Sequence, residues 1–177
     1  MGLDGCIFFL EKKVKKRYNR IGEIKMKKYF ALKEQLIKDA ASKKMLLAGE
    51  FELTARCNFS CAMCYVVHQE KQKELTSEEW IDIFRQARDK GMMFALLTGG
   101  EIFRREDFFV LYETLYDMGV RITLFSNASL ITEEIAARLA KRKPDYVAVT
   151  LYGASDATYQ TVTKDKEGFT KAQKGIA

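Results

Sequence analysis

Apolar residues along the chain alternate between two spacings, and that alternation predicts the fold. From Met26 to Ala41, Tyr29, Phe30, Leu32, Leu36, Ile37 and Ala40 recur at helical spacing among lysines, which predicts an amphipathic helix. Phe51 to Ala55 reads as a strand. Thr76-Ser77-Glu78-Glu79 has the capping-box form, and Trp80, Ile81, Phe84 and Ala87 mark the buried face of a helix that runs up to Gly91. Phe94 to Thr98 is a short apolar strand ending in Gly99-Gly100-Glu101, and a helix from about Arg105 to Met118 closes on Gly119. Val120 to Phe125 is a third strand; Thr132 caps a helix through roughly Ala140; Tyr146 to Leu151 is a fourth strand, and Ser155 caps a last helix.

Strands that alternate with helices of this length imply right-handed βαβ units and a parallel sheet. A closed barrel of eight units takes about 250 residues, so a chain of 177 holding four strands is expected to form an α/β fold of the incomplete (β/α) barrel kind, with an N-terminal helix. The expected division is residues 1–48, a basic extension and amphipathic helix, and 49–177, the core domain. The unusual polar and glycine-rich groups all fall at or just past C-terminal ends of predicted strands: Cys57 to Cys64, Gly99 to Glu101, Ser126 to Asn127, and Thr150 to Gly153. In parallel α/β folds these ends share one rim, and ligands bind there.

Composition changes this picture little. Hydrophobic content of 47% and charged content of 31% are ordinary for a globular protein. The apolar run Ile7 to Leu10 is too short for a membrane span or a signal segment, so the expected location is the cytoplasm, with no membrane partner. Charge is uneven: residues 1–50 carry 13 Lys and Arg against 6 Asp and Glu, and the remainder 17 against 18. The densest basic run, from Lys12 to Arg20, reads as a solvated tail, with nucleic acid not expected as a partner. Helical patterning starts only at Met26, which is a candidate for the natural start.

The chemistry lies in CNFSCAMCY, where Cys57, Cys61 and Cys64 fall within eight residues. In a reducing compartment such thiols are ligands or catalytic groups rather than disulfide partners, and Cys6, alone in sequence, is assigned no role. A cubane of four irons normally takes four thiolates, so three leave one iron open, and an open position is where a ligand can bind. A Cys3His zinc site made with His68, the single histidine, is the alternative, and it would suit a binding module whose basic N-terminus contacts nucleic acid. Taken singly, Gly99-Gly100 is a turn, Glu101 a surface carboxylate, Ser126-Asn127 a self-bonding turn, and Thr150 and Tyr152 strand-end packing. Met92, Met93 and Met118 read as core fillers.

The pattern CxxxCxxC followed by an aromatic residue, here Cys57, Cys61, Cys64 and Tyr65, resembles that of the radical S-adenosylmethionine enzymes. That resemblance implies that the three cysteines hold a 4Fe-4S cluster whose open iron is chelated by S-adenosylmethionine, with Tyr65 beside the adenine. Gly99-Gly100-Glu101 matches the motif that approaches the methionyl amino group. Ser126 and Asn127 stand where a Thr-Asn-Gly sequence is often found, with Ala128 in the glycine position. Thr150 and Tyr152 match a fourth-strand segment that contacts ribose or the methionyl carboxylate. The activity implied is reductive cleavage of S-adenosylmethionine to a 5′-deoxyadenosyl radical that takes hydrogen from a substrate, with an external electron donor such as flavodoxin or ferredoxin. The phrasing from Phe51 to Tyr65 and from Val149 to Thr163 looks most like SPASM-type members, many of which modify peptides. Such barrels usually have six βα units, so this chain is expected to be the N-terminal part of one.

Overall fold

A computed structural model describes residues 31–32, 34–66 and 73–177. The chain divides between Lys44 and Met45 into two units. In the first, residues 31–32 and 34–42 are helical (α1). The part of the expected helix before residue 31, the basic run, Cys6 and His68 lie outside the described residues.

The second unit alternates as the spacing predicts. Its elements are β1 (Ala48–Glu52), α2 (Ser77–Asp89), β2 (Phe94–Thr98), a 3-10 turn (Ile102–Arg104), α3 (Phe108–Asp117), β3 (Arg121–Ser126), α4 (Glu133–Lys141), β4 (Tyr146–Val149), α5 (Asp156–Thr163) and α6 (Gly168–Ile176). The four strands are parallel and adjacent in chain order, β1-β2-β3-β4, which makes this the expected partial (β/α) barrel. Registers such as Phe51↔Leu97 and Leu97↔Leu124↔Val147 bring residues of like character into rows across the sheet.

Side chains alternate across the strands, and among the described residues one face is the more completely covered. Phe51, Ala95, Leu97, Ile122 and Leu124 pack into a core with Phe84 and Ala87 of α2, Leu111, Tyr112 and Leu115 of α3, and Leu139 of α4. Phe51 meets Trp80 and Phe84 edge-on, at ring distances of 6.1 and 5.1 Å. On the other face Glu50, Glu52, Phe125 and Tyr146 are exposed. Burying one such aliphatic side chain stabilises by about 1.5–3 kcal/mol, so the helix-covered face holds the sheet together.

Four local expectations need correction. β1 begins and ends three residues earlier than the Phe51 to Ala55 run suggested. Ala48 and Gly49 are weak strand formers, but pairing with Phe94 and Ala95 overrides propensity, while Thr54 and Ala55 are drawn off to the Glu74 carboxylate. The helix expected from about Arg105 starts only at Phe108, because Arg105 is extended (φ −87°, ψ 118°) with its guanidinium held by backbone carbonyls. A further helix, α6, follows α5 after Lys164 adopts a left-handed φ of 66°. Of the three methionines, Met92 is buried and Met118 packs against the core, whereas Met93 is 41% exposed because β2 enters the sheet beside it.

Candidate functional site

The cysteines lie on an irregular loop that leaves β1, and three sets of contacts fix that loop. At its stem, Leu53 N–H donates to Thr98 O (2.9 Å), Gly100 N–H to Thr54 O (2.8 Å) and Glu101 N–H to Arg56 O (2.9 Å). The loop therefore runs directly beside the turn after β2. This explains both glycines: a Cβ on Gly99 would lie 2.4 Å from Thr54 O, and one on Gly100 2.5 Å from Arg56 O. Gly99 also has a φ of +150°. Both glycines thus allow the two loops to approach closely.

Further along, Ser60 N–H donates to Thr163 O and Ala62 N–H to Val162 O, both at 3.0 Å, so the loop satisfies carbonyls at the end of α5. Phe59 is buried with Cys61, Tyr159 and Ala172, and Cys57, Cys64, Tyr152 and Phe169 pack around them. The third anchor is the end of β3. Asn58 Nδ2 donates to Ser129 Oγ (2.8 Å) and Asn127 Nδ2 donates to Asn58 Oδ1 (3.1 Å).

Glu101 is the buried hinge of this rim. Its side chain is 1% exposed with its residue, unlike the surface carboxylate it would be if read alone. Ser126 Oγ (2.8 Å) and Phe103 N–H (3.3 Å) donate to Oε1, and Asn127 N–H (2.7 Å) donates to Oε2. Burial pushes its carboxyl above the ordinary range, against the pull of these bonds from Asn127, Ser126 and Phe103. Ser126 and Asn127 also form the self-bonding turn, since Ala128 N–H donates to Ser126 Oγ and Ser129 N–H to Asn127 Oδ1, both at 2.9 Å. Ala128 holds a φ of 62° there and is fully buried, so this position asks for the left-handed conformation that glycine takes without strain.

The three sulfurs are free and belong to one packed group: Cys61 is buried, and Cys57 and Cys64 half-buried. Burial pushes the Cys57 and Cys61 thiols up. Hydrogen-bond donors face one of them, Phe59 N–H (3.4 Å) and Asn127 Nδ2 (3.8 Å) on Cys57 Sγ, and Tyr152 packs in the group that holds Cys61. Among the described residues, no three His, Cys, Asp or Glu side chains stand together as tightly as one metal ion needs. Thiolates sharing a single zinc would be about 3.8 Å apart, from a bond of about 2.3 Å in a tetrahedron. A cluster that takes one thiolate per iron asks for wider spacing, and three soft donors on one loop fit it.

The remaining expected residues are placed less centrally. Tyr65 is 73% exposed and its hydroxyl donates to Glu52 Oε1, at the outer edge of β1. Thr150 is exposed just past β4, its N–H donating to Ser126 O (3.3 Å). Tyr152 turns into the cysteine group, edge-on to Phe59 and Tyr159. A cavity of about 550 Å³ between Tyr116, Arg121, Lys143 and Asp145 opens at the opposite ends of β3 and β4.

Residue spacing did not reveal the clamp behind the loop. Arg105 is 5% exposed, and its guanidinium donates to Leu53 O and Leu75 O, each at 2.7 Å, which brackets both ends of the segment that carries the cysteines. Asp107 pairs with Arg105 Nε (2.7 Å), and Ser77 Oγ donates to the same carboxylate. Glu74 accepts from Thr54 Oγ1, from Ala55 N–H (3.1 Å) and from Arg56 (3.0 Å). The sequence signal was only a charged run, Arg104 to Asp107, which reads as solvent-facing.

A family model described as the Radical SAM superfamily matches residues 51–177. The chain is 29% identical over 120 residues to the PqqA peptide cyclase of Rhizobium meliloti (strain 1021), covering 67% of this chain and 32% of that protein. It is 34% identical over 113 residues to the PqqA peptide cyclase of Streptomyces rochei, covering 63% and 31%. The chain thus spans about a third of the length of these curated relatives. Among solved structures, Streptococcus suis SuiB bound to precursor peptide SuiA matches with a TM-score of 0.60 at 22% identity, over 80% of this chain and 34% of that one. SuiB bound to S-adenosylmethionine matches with a TM-score of 0.56 at 20% identity, over 75% and 30%. These two likenesses are of fold.

Proposed function

Because the chain belongs to the radical SAM superfamily, whose members use a 4Fe-4S cluster and S-adenosylmethionine, we propose that it is the cluster-bearing part of a radical enzyme that acts on a peptide. The observation that carries this reading is the convergence of three free cysteines, the Gly99-Gly100-Glu101 turn and the Ser126-Asn127 turn on one rim. When bound, the cluster and its sulfonium partner supply reductive cleavage to a 5′-deoxyadenosyl radical that abstracts hydrogen from substrate.

This chain's own residues bind and orient. Cys57, Cys61 and Cys64 would hold the cluster through their thiolates, and the packed ring of Phe59, Tyr152 and Tyr159 covers that side. Glu101, already buried beside the rim, would offer its carboxylate to the methionyl ammonium, and Gly99 and Gly100 set the turn that carries it. Ser126 and Asn127 fix the carboxylate's orientation. Thr150, exposed past β4, is free to contact the cofactor's polar groups, and Tyr65 is free to swing beside the adenine. The names of the two relatives support a peptide substrate and a SPASM-like subgroup. An external flavodoxin or ferredoxin supplies the electron, which makes the protein an oxidoreductase in type. Among the described residues no helix is long and apolar enough to cross a membrane, and we place the protein in the cytoplasm.

Incubating anaerobically reconstituted protein with dithionite and S-adenosylmethionine tests this. 5′-Deoxyadenosine above the level of a Cys61→Ser variant supports it. Its absence from a chain with a complete cluster sinks the catalytic reading.

A further inference from the structure

One side-chain donor faces a cysteine sulfur in an orientation that its neighbours' bonds fix, and a tyrosine ring packs in the same group. The Asn127 oxygen accepts from both Ser129 N–H (2.9 Å) and Ser129 Oγ (2.6 Å), which fixes which end of the amide is which. Its NH2 group is thereby turned to Asn58 Oδ1 (3.1 Å) and Cys57 Sγ (3.8 Å). Asn58 is oriented in turn, since its own NH2 donates to Ser129 Oγ (2.8 Å). The Tyr152 ring is gripped edge-on by Phe59 and Tyr159, at 6.4 and 5.7 Å, and packs in the group that holds Cys61.

We propose that the Asn127 amide and the Tyr152 hydroxyl hydrogen-bond the sulfurs of Cys57 and Cys61 and thereby raise the reduction potential of the cluster these thiolates hold. The inference rests on the cluster reading above and gives the two residues a role on sulfur rather than on the sulfonium cofactor. Reduction adds one electron, supplied by the external donor, and the extra negative charge is shared by the sulfurs. A donor aimed at sulfur stabilises the reduced form more than the oxidised one. Losing such a donor therefore makes the cluster harder to reduce.

The test is a potentiometric titration of the reconstituted full chain, with dithionite as reductant and the reduced cluster read by electron paramagnetic resonance, in the absence of S-adenosylmethionine. Tyr152→Phe keeps the ring and removes only the hydroxyl. Asn127→Asp keeps the oxygen that Ser129 needs and removes the NH2 group. Each is expected to lower the equilibrium constant for reduction about tenfold, a fall of about 59 mV for one electron, with iron content unchanged. Tyr116→Phe, a tyrosine of α3 outside the cysteine group, is expected to leave the potential where it was. Full iron with unmoved midpoints in both variants overturns the inference alone. Failure of both variants to load iron also overturns it, by making the residues structural. Failure of the unsubstituted chain to load iron sinks the cluster reading beneath it.

Discussion

Replacing Arg105 by methionine should weaken the whole cysteine-bearing segment. The substitution keeps an apolar stem but removes donors to Leu53 O and Leu75 O (2.7 Å each) and the partner of Asp107 (2.7 Å). A bond to a charged donor is worth about 1.5–3 kcal/mol, and breaking a buried pair about 3–5 kcal/mol. Asp107 and Glu74 are about a quarter exposed, so solvent takes up part of the stranded charge and the lower end applies. A loss of about 3 kcal/mol is a large share of the roughly 5–15 kcal/mol that stabilises a domain. With a urea dependence of about 2 kcal/mol per molar, the midpoint should fall by about 1.5 M. Urea unfolding of the iron-free chain followed by circular dichroism measures it. Adding Asp107→Asn should recover part of the loss, because the two residues share one interaction. A fall under about 1 kcal/mol, or a strictly additive double variant, would refute the clamp.

Other outcomes follow from the same geometry. Gly100→Ala should cost about 2–3 kcal/mol, since its Cβ meets the Arg56 carbonyl at 2.5 Å; Gly119→Ala, with open space around it and only a φ of 74° to strain, should cost about 1 kcal/mol in the same unfolding assay. The Tyr159 hydroxyl is buried without a partner among the described residues, so Tyr159→Phe should stabilise the iron-free chain by about 1 kcal/mol, and a clear loss of stability would show that the hydroxyl is bonded. Burial pushes Glu74 and Asp107 up, but bonds from Thr54, Arg56, Arg105 and Ser77 outweigh it and hold both carboxyls below their usual range. Their contribution is therefore present above about pH 5 and is lost as pH falls below about 4 and through the depressed values. Urea midpoints taken from about pH 6 to pH 3 should show that acid limb, and Arg105→Met should flatten it.

The parallel alternation was legible because it rests on spacing. Phe84 and Ala87 on α2, and Leu97, Ile122 and Leu124 on the strands, reveal their burial by period alone. Thr76 and Glu79 form the expected capping box, and Thr132 and Ser155 cap their helices as read. What spacing hides is tertiary. Ala48 and Gly49 become strand only through their neighbour, and α6 contains Gly168 and Gly175, poor helix formers placed where a Cβ would strike Tyr159 and the Ala128 carbonyl. For the site, the glycine pair and the carboxylate were visible, but their present partners were not. Glu101 accepts bonds from Ser126 and Asn127, and the glycines lie against the loop stem. Arg105 and Glu74 were missed because a buried charge and a solvated one look alike in a sequence.

The account stands most directly on metal content. Iron and acid-labile sulfide per chain, measured after anaerobic reconstitution, should reach about four of each in the unsubstituted protein and fall sharply in Cys57→Ser, Cys61→Ser and Cys64→Ser. Tight binding of a single zinc with no sulfide, or iron uptake that ignores the three cysteines, would contradict it.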